Sequence, residues 1–417
     1  MPKHQPRDPI RVRRLIFRDE TIVRTNVVGD CLHMSWTADD RQLAALCDGY
    51  GIAEDPRHTF NSRLLEINGG PETPVFQEVA GYPLLEPATD APRYYGFGTL
   101  ALDGKVFQFL NTLNNQFVGG SGDTAAGTGF VGAKLIYSPD NGRTWCNQDG
   151  SSPVHWERWE ERNRDTMAFF NEPQDAFCLL SILQMGRNYE ANRDGYIYVY
   201  GPNGNLEGTM NELVMFRVER DRLLDRSAYE YCTGVDSEGA ASWASEFDAR
   251  KPVHRFPSGW VNTKKFAHAW QPSLAYNEPL GLYMMANYGI GSAPDGNWFG
   301  KPSYFGFWTA PNPWGPWTQV HEEKAWAPGG DTKARGYQPQ IAPKWIAADG
   351  KSFWLVWGDF QGVTDIPADD ANRLLEMRRA SDMVGATKFG AEVIARYMPH
   401  YSFNAQRVDL ELELELG

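Results

Sequence analysis

Two carboxylates have the placement needed for acid–base chemistry. Asp30 and Asp48 flank a strand–turn–strand segment, CLHMSWTADDRQLAALCDGYG, whose polar centre is Ala38-Asp39-Asp40-Arg41. A turn centred near Asp39 sets Asp30 opposite Asp48 on an antiparallel pair, where facing Cβ atoms lie about 4.5–5.5 Å apart. Carboxylates that close repel, so one pKa rises while the other stays low. Glycoside hydrolysis uses such a split, with one group protonated to donate to the leaving oxygen and one ionised as base or nucleophile. The carboxyl separation then decides between retention and inversion of configuration. The plainer alternative is that Asp48 caps its strand, as Asp359 would in a later segment of similar pattern.

Other polar and aromatic residues should line the same funnel. If the innermost strand of each repeated unit opens toward it, His33 and Tyr95 (or its neighbour Tyr94) come from the first two units. Asn188, Tyr189 and Glu190 come from the third, His268 and Gln271 from the fourth, and Tyr337 and Gln340 from the fifth. These side chains suit sugar hydroxyls and stacking on sugar faces. Each also has an ordinary structural use, because buried polar side chains mostly serve the backbone. Glu190 and Asp194 are reserves for a third acid, although Asp194-Gly195 reads as a turn before YIYVY.

The elements that must hold these residues are short strands. Apolar, β-branched and aromatic runs alternate with Asp, Asn, Gly and Pro, and several look like variants of one unit. The clearest are Cys31–Gly51, His268–Gly291 and Tyr337–Gly362, with Arg93–Thr112 and Phe177–Gly201 fitting more loosely. Each pairs an aromatic-bearing strand with a second apolar strand across a polar turn, and further strands follow. Five units at about 60–80 residues each predict an all-β fold, a five-bladed β-propeller with long inter-strand insertions. No linker-like stretch divides the chain, so residues 1–410 are expected to form one domain. Residues 411–417 end an alternating DLELELELG run and read as a closing edge strand or an appended tail. Helix is expected only as short turns near Asp369–Met377 and Ser381–Val384. Ser138-Pro139-Asp140-Asn141-Gly142-Arg143-Thr144-Trp145 matches the Asp-box pattern S-x-D-x-G-x-T-W, a hairpin turn with a tryptophan packed beneath it. Asn312-Pro313-Trp314-Gly315-Pro316-Trp317 reads as a second packing turn, and both are fold markers rather than chemistry.

Composition narrows the function classes. The 417 residues are 42% apolar, 22% charged and 13% aromatic, the balance of a folded, β-rich chain. A net charge of −13 argues against nucleic acid or an anionic membrane surface as partner. No apolar run is long enough for a transmembrane helix, and the basic N-terminus lacks the apolar core of a secretory signal. Compartment stays open between cytoplasm and secretion with a leader removed. The five cysteines form no CxxC pair and predict reduced, mostly buried thiols. Glycine-rich nucleotide loops, HExxH and GxSxG are all missing, which removes the usual support for dinucleotide, NTP, zinc-protease and α/β-hydrolase chemistry. No metal or organic cofactor is called for.

From Gly29-Asp30 through Trp36, Ala38-Asp39-Asp40 and Asp48-Gly49, the chain resembles a family of five-bladed propellers. That family was first catalogued as a domain of unknown function and includes endo-D-arabinanases. GRNYEANRDGYIYVYG, LLDRSAYEY, the Trp-rich turn, PKWIAADGKSFWLVW and YSFNAQRVDL extend the resemblance to about Leu410. It implies a hydrolase of a furanoside-containing polysaccharide such as D-arabinan, with the acid pair on Asp30 and Asp48. His33 and Cys47 depart from the family pattern beside that pair. Two rivals remain: a non-catalytic glycan-binding propeller, and a polysaccharide lyase using His268 with Lys344 or Arg187.

Overall fold

The computed structural model describes residues 10–87, 92–114, 129–204, 209–256, 271–290 and 301–413. These are mostly β, with two α-helices among the described residues. Antiparallel hairpins stand where each of the repeated units places one. Met34–Trp36 pairs with Gln42–Gly51, Tyr94–Leu102 with Lys105–Leu113, and Ser181–Ile182 with Tyr196–Pro202. Ser273–Asn277 pairs with Leu282–Ile290, and Gly336–Ile341 with Ser352–Asp359. Further strands extend them into antiparallel sheets of nine, five, six and four strands.

The nine-stranded sheet joins the first hairpin to the last. Its link is Val23–Asp30, bonded to Gln42–Gly51 on one side and to Ser402–Glu413 on the other. The outer strand of the last unit is Arg11–Phe17, which pairs with Ser402–Glu413 from Arg11↔Glu413 to Phe17↔Val408. Arg11–Phe17 and Ser402–Glu413, far apart in sequence, therefore build one unit. Residues 411–413 belong to that paired strand.

Apolar faces explain how the sheets assemble. Leu43 and Leu64 of the first unit pack against Tyr94, Val106 and Leu110 of the second. Phe109 and Leu135 of the second meet Ile182, Val214 and Phe216 of the third, in a cluster that continues to Leu274 and Trp308 of the fourth. Phe307 of the fourth stacks on Phe353 of the fifth at 5.4 Å. Trp345, Val356 and Phe403 then pack back on Met34, Leu46 and Leu65 of the first. Sheets covered on both faces lose the in–out alternation of a half-exposed strand, and every residue of Tyr94–Leu102 is buried. The first strands of the units converge on a small pocket lined by Met34, Thr99, Ile182, Leu274 and Gln340.

The helices are longer than the sequence suggests. Ala368–Arg379 (α1) and Met383–Tyr397 (α2) form an insertion between Ser352–Asp359 and Ser402–Glu413. Met383, Ala386, Phe389 and Val393 form the buried stripe of α2, a spacing masked by Gly385 and Gly390. Asp382 starts the helix by accepting the Gly385 N–H at 2.9 Å.

The two turn motifs are structural. Asp140 accepts from the Thr144 N–H at 2.7 Å and the Thr144 hydroxyl at 2.8 Å, and the Ser138 hydroxyl accepts the Gly142 N–H at 2.7 Å. Trp145 is buried beneath the turn. Trp314 Nε1 donates to the Gly239 carbonyl at 2.9 Å, tying the fourth unit to the third. Asp140→Ala removes three acceptor contacts, to the Thr144 N–H, the Thr144 hydroxyl and the Ser138 hydroxyl, at a partly exposed turn and is expected to cost about 1 kcal/mol of stability. Denaturant unfolding checks this, with turnover unaltered because the turn lies far from the acid pair.

Candidate active site

The acid pair sits where the first and last units meet. The facing register inferred from the turn holds at Met34↔Ala44, Ser35↔Leu43 and Trp36↔Gln42. It slips by one at the acids, where Asp30 pairs with Cys47 rather than Asp48. The cause is a bulge between Met34↔Ala44 and Asp30↔Cys47, where residues 31–33 face only 45 and 46. A second irregularity follows beyond Asp30, where the ladder passes to Val28↔Gly51 and Gly29 opposes residues 48–50. Both glycines there are sterically required. A Cβ on Gly29 would lie 2.4 Å from Leu46 Cδ2, and one on Gly49 would lie 2.0 Å from the Val28 carbonyl oxygen. The first irregularity holds Cys31 at φ +66° and the second holds Asp48 at φ +45°, outside regular strand geometry.

The two carboxyls have unlike surroundings. Asp30 is buried, at 4% exposure. Its Oδ2 accepts the Tyr401 hydroxyl at 2.6 Å. Its Oδ1 takes no hydrogen bond of normal geometry, although the Cys31 thiol lies beside the carboxyl. Burial first, then the Asp48 charge, push Asp30 up to about 7, against the opposing pull of Cys31 and Tyr401. Asp48 is only partly buried and accepts Asn61 Nδ2–H at 2.6 Å. Burial raises Asp48 also, while the Arg93 guanidinium, the Asn61 amide and the Arg378 guanidinium of α1 favour its anion. Asp30 is thus raised by burial and by its neighbour's charge, whereas at Asp48 burial is opposed by three groups that favour the anion. Asp359, by contrast, spends Oδ1 on the Arg335 and Gln361 N–H groups at 2.7 and 2.8 Å, as a strand cap does.

The other sequence candidates separate into three places. Tyr95 and Tyr337 lie beside the acids. The Tyr95 hydroxyl accepts from Arg93 at 3.3 Å, and both phenols are pushed up by burial and feel the Asp30 charge. His33, Gln271 and Gln340 lie deeper, around the central pocket. His33 and Gln340 line it, His33 packs at 5.4 Å on the Phe97 ring, and burial lowers its pKa to about 3, so it stays neutral. Gln271 is buried and reaches the Leu180 carbonyl at 3.3 Å.

Asn188, Tyr189 and Glu190 stand at the opposite end of the units. The inner strand of the third unit is Ser181–Ile182, and Arg187–Tyr189 is the 3-10 turn beyond its far end. There Asn188 accepts the Gly104 N–H at 3.2 Å, the Tyr189 hydroxyl donates to the Tyr196 carbonyl at 3.3 Å, and Glu190 is exposed. Asp194 accepts the Tyr196 N–H at 3.0 Å, as a turn residue does. Arg187 and Lys344 are at that end too, donating to the Ala38 carbonyl at 2.9 Å and to Asp40 Oδ2 at 3.2 Å. Neither stands beside the acid pair; the lyase reading would set one of them beside His268. His268 lies outside the described residues.

Four contributors to the site escaped sequence reasoning: Tyr401, Asn61, Arg93 and Arg378. Only Tyr401 carried a signal, as the first residue of YSFNAQRVDL. Its hydroxyl reaches Asp30 from 371 positions away in sequence. Tyr401→Phe removes a hydrogen bond to the ionised form of Asp30, so the Asp30 pKa should rise above about 7. A bond to a charged group is worth about 1.5–3 kcal/mol, or roughly one pH unit or more. The alkaline limb of kcat/KM should move upward by about that much, read from a pH–rate profile.

No family profile and no curated protein matches the chain. Solved structures do. A hydrolase of uncertain assignment from Bacteroides ovatus aligns over 91% of this chain and 85% of its own, with 13% identity and a TM-score of 0.44. The GH62 α-L-arabinofuranosidase domain of Coprinopsis cinerea aligns over 86% and 87%, with 10% identity and a TM-score of 0.39. An endo-arabinase from Bacteroides thetaiotaomicron aligns over 80% and 90%, with 11% identity and a TM-score of 0.41. Likenesses at these values carry no argument about what this chain does, which rests on its own residues.

Proposed function

We propose that this chain is a five-bladed β-propeller glycoside hydrolase that cleaves a furanoside-containing polysaccharide, with D-arabinan the first substrate to test and endo cleavage the expected mode. Asp30 is the general acid and Asp48 the base or nucleophile. The observation that carries this is the unlike setting of the two acids: one buried with its pKa near 7, the other beside two guanidinium groups. Sheet packing that runs from unit to unit and returns to the first supports the propeller, as does the convergence of their first strands on one pocket. Tyr95 and Tyr337 would present rings and hydroxyls to the sugar. No helix is long and apolar enough to cross a membrane among the described residues.

The test is product analysis on D-arabinan and a panel of furanoside and pyranoside glycans, comparing wild type with Asp30→Asn and Asp48→Asn. Short oligosaccharides from wild type alone, with binding kept in both variants, are the expected result. Binding without turnover by all three proteins would make the chain a lectin-like propeller. Products absorbing in the ultraviolet as unsaturated uronates would make it a lyase.

A further inference from the structure

The irregular ladder around Asp30 also brings together two cysteines that lie sixteen positions apart in sequence. Cys31 Sγ, Cys47 Sγ and a carboxylate oxygen of Asp30 all lie within 4.8 Å of one another, and all three residues are buried. Neither sulfur is in a disulfide. Three donors around one zinc-sized ion stand about 3.5–4 Å apart, given metal–sulfur distances near 2.3 Å and metal–oxygen distances of 2.0–2.2 Å.

A second, independent feature points the same way. Asp30 is 4% exposed, yet its Oδ1 has no hydrogen-bond partner of normal geometry, a costly state for a buried carboxyl oxygen. Its other oxygen is fixed by the Tyr401 hydroxyl. An outer contact of this kind orients a donor of a metal site. Two sulfurs and one carboxylate favour a soft, thiophilic ion over magnesium or calcium.

We propose that Asp30, Cys31 and Cys47 form a binding site for a thiophilic divalent cation of the zinc class, with the fourth position open to water. Each thiol gives up its proton as its sulfur joins the ion. Asp30 binds through Oδ1 and cannot then carry a proton, so an occupied site takes the acid out of use. This last consequence rests on the hydrolase assignment, while the binding itself does not.

The experiment titrates the full-length chain with Zn²⁺ alone and follows binding calorimetrically. One equivalent is expected for wild type and for Cys146→Ser, whose sulfur lies elsewhere. Cys31→Ser and Cys47→Ser should bind at least about a hundredfold more weakly, beyond the effect of losing an outer contact. Co²⁺ in place of Zn²⁺ should give wild type a near-ultraviolet thiolate-to-metal band, a readout that needs no variant to fold. No binding, no such band, or binding unchanged in both variants would overturn the site. If the chain hydrolyses a glycan, one bound equivalent should stop turnover until a chelator removes it. Undiminished turnover would place the ion elsewhere and also overturn the site. If it hydrolyses nothing, the calorimetric and Co²⁺ results still decide the proposal.

Discussion

Asp30→Asn should lose activity and gain stability in the same substitution. A general acid contributes about 10²–10⁴ in rate, and turnover on the polysaccharide is expected to fall by that order. The stability effect follows from the raised pKa. In the folded chain Asp30 titrates at about 7, and in the unfolded chain near the ordinary value of about 3.9. Between those values the folded state holds a proton that the unfolded state has lost, so stability falls as pH rises through the window. Asparagine keeps an acceptor for Tyr401 and never ionises. The melting temperature of Asp30→Asn should therefore exceed that of wild type at pH 8, and the gap should close as pH approaches 4. Calorimetry across that range checks it. A gap that ignores pH would mean Asp30 is not held protonated by its surroundings.

Asp48→Asn is expected to be as damaging to turnover, for a different reason that its residual rate should reveal. The Asp48 charge is the second-largest cause raising Asp30. Without it Asp30 ionises more readily, so the alkaline limb of the remaining kcat/KM should move below about pH 7. The acid limb, which reports ionisation of Asp48 in wild type, should vanish. This alkaline shift runs opposite to that expected for Tyr401→Phe, so the pair of profiles separates loss of a repelling charge from loss of a stabilising hydrogen bond. An alkaline limb that stays in place would show that the two carboxyls do not sense each other.

Much of the scaffold was legible because its turns announce themselves. Polar turns such as Asp39-Asp40 and Asp349-Gly350, flanked by apolar runs, mark hairpins that the structure contains. Three pairs of the first hairpin follow from its turn alone. The register fails between Met34 and Asp30, where residues 31–33 face only 45 and 46, because nothing in Cys31-Leu32-His33 marks the extra residue. Assigning Asn188 to the funnel failed for a related reason. The strand Ser181–Ile182 is two residues long, too short to mark itself within FCLLSILQM, so the pattern places a strand start at the turn that follows it. Helix α2 hid behind Gly385, Gly390 and Thr387, all weak helix formers, and is sustained by burial of its apolar stripe. Tyr401 and Arg378 reach the acids through the closure of the fold, and spacing along the chain carries no trace of that.

The unit assembled from Arg11–Phe17 and Ser402–Glu413 has a consequence for biosynthesis. A nascent chain emerging from the ribosome can complete its second, third and fourth sheets as they appear, but Arg11–Phe17 must wait for a partner nearly 400 residues downstream. Until then it is an unpaired edge, the kind of surface on which chains aggregate. Tyr401, which steadies Asp30, arrives in that same final stretch. A polypeptide stopped before Ser402 would leave that edge uncovered and the buried Asp30 carboxyl without its hydroxyl partner.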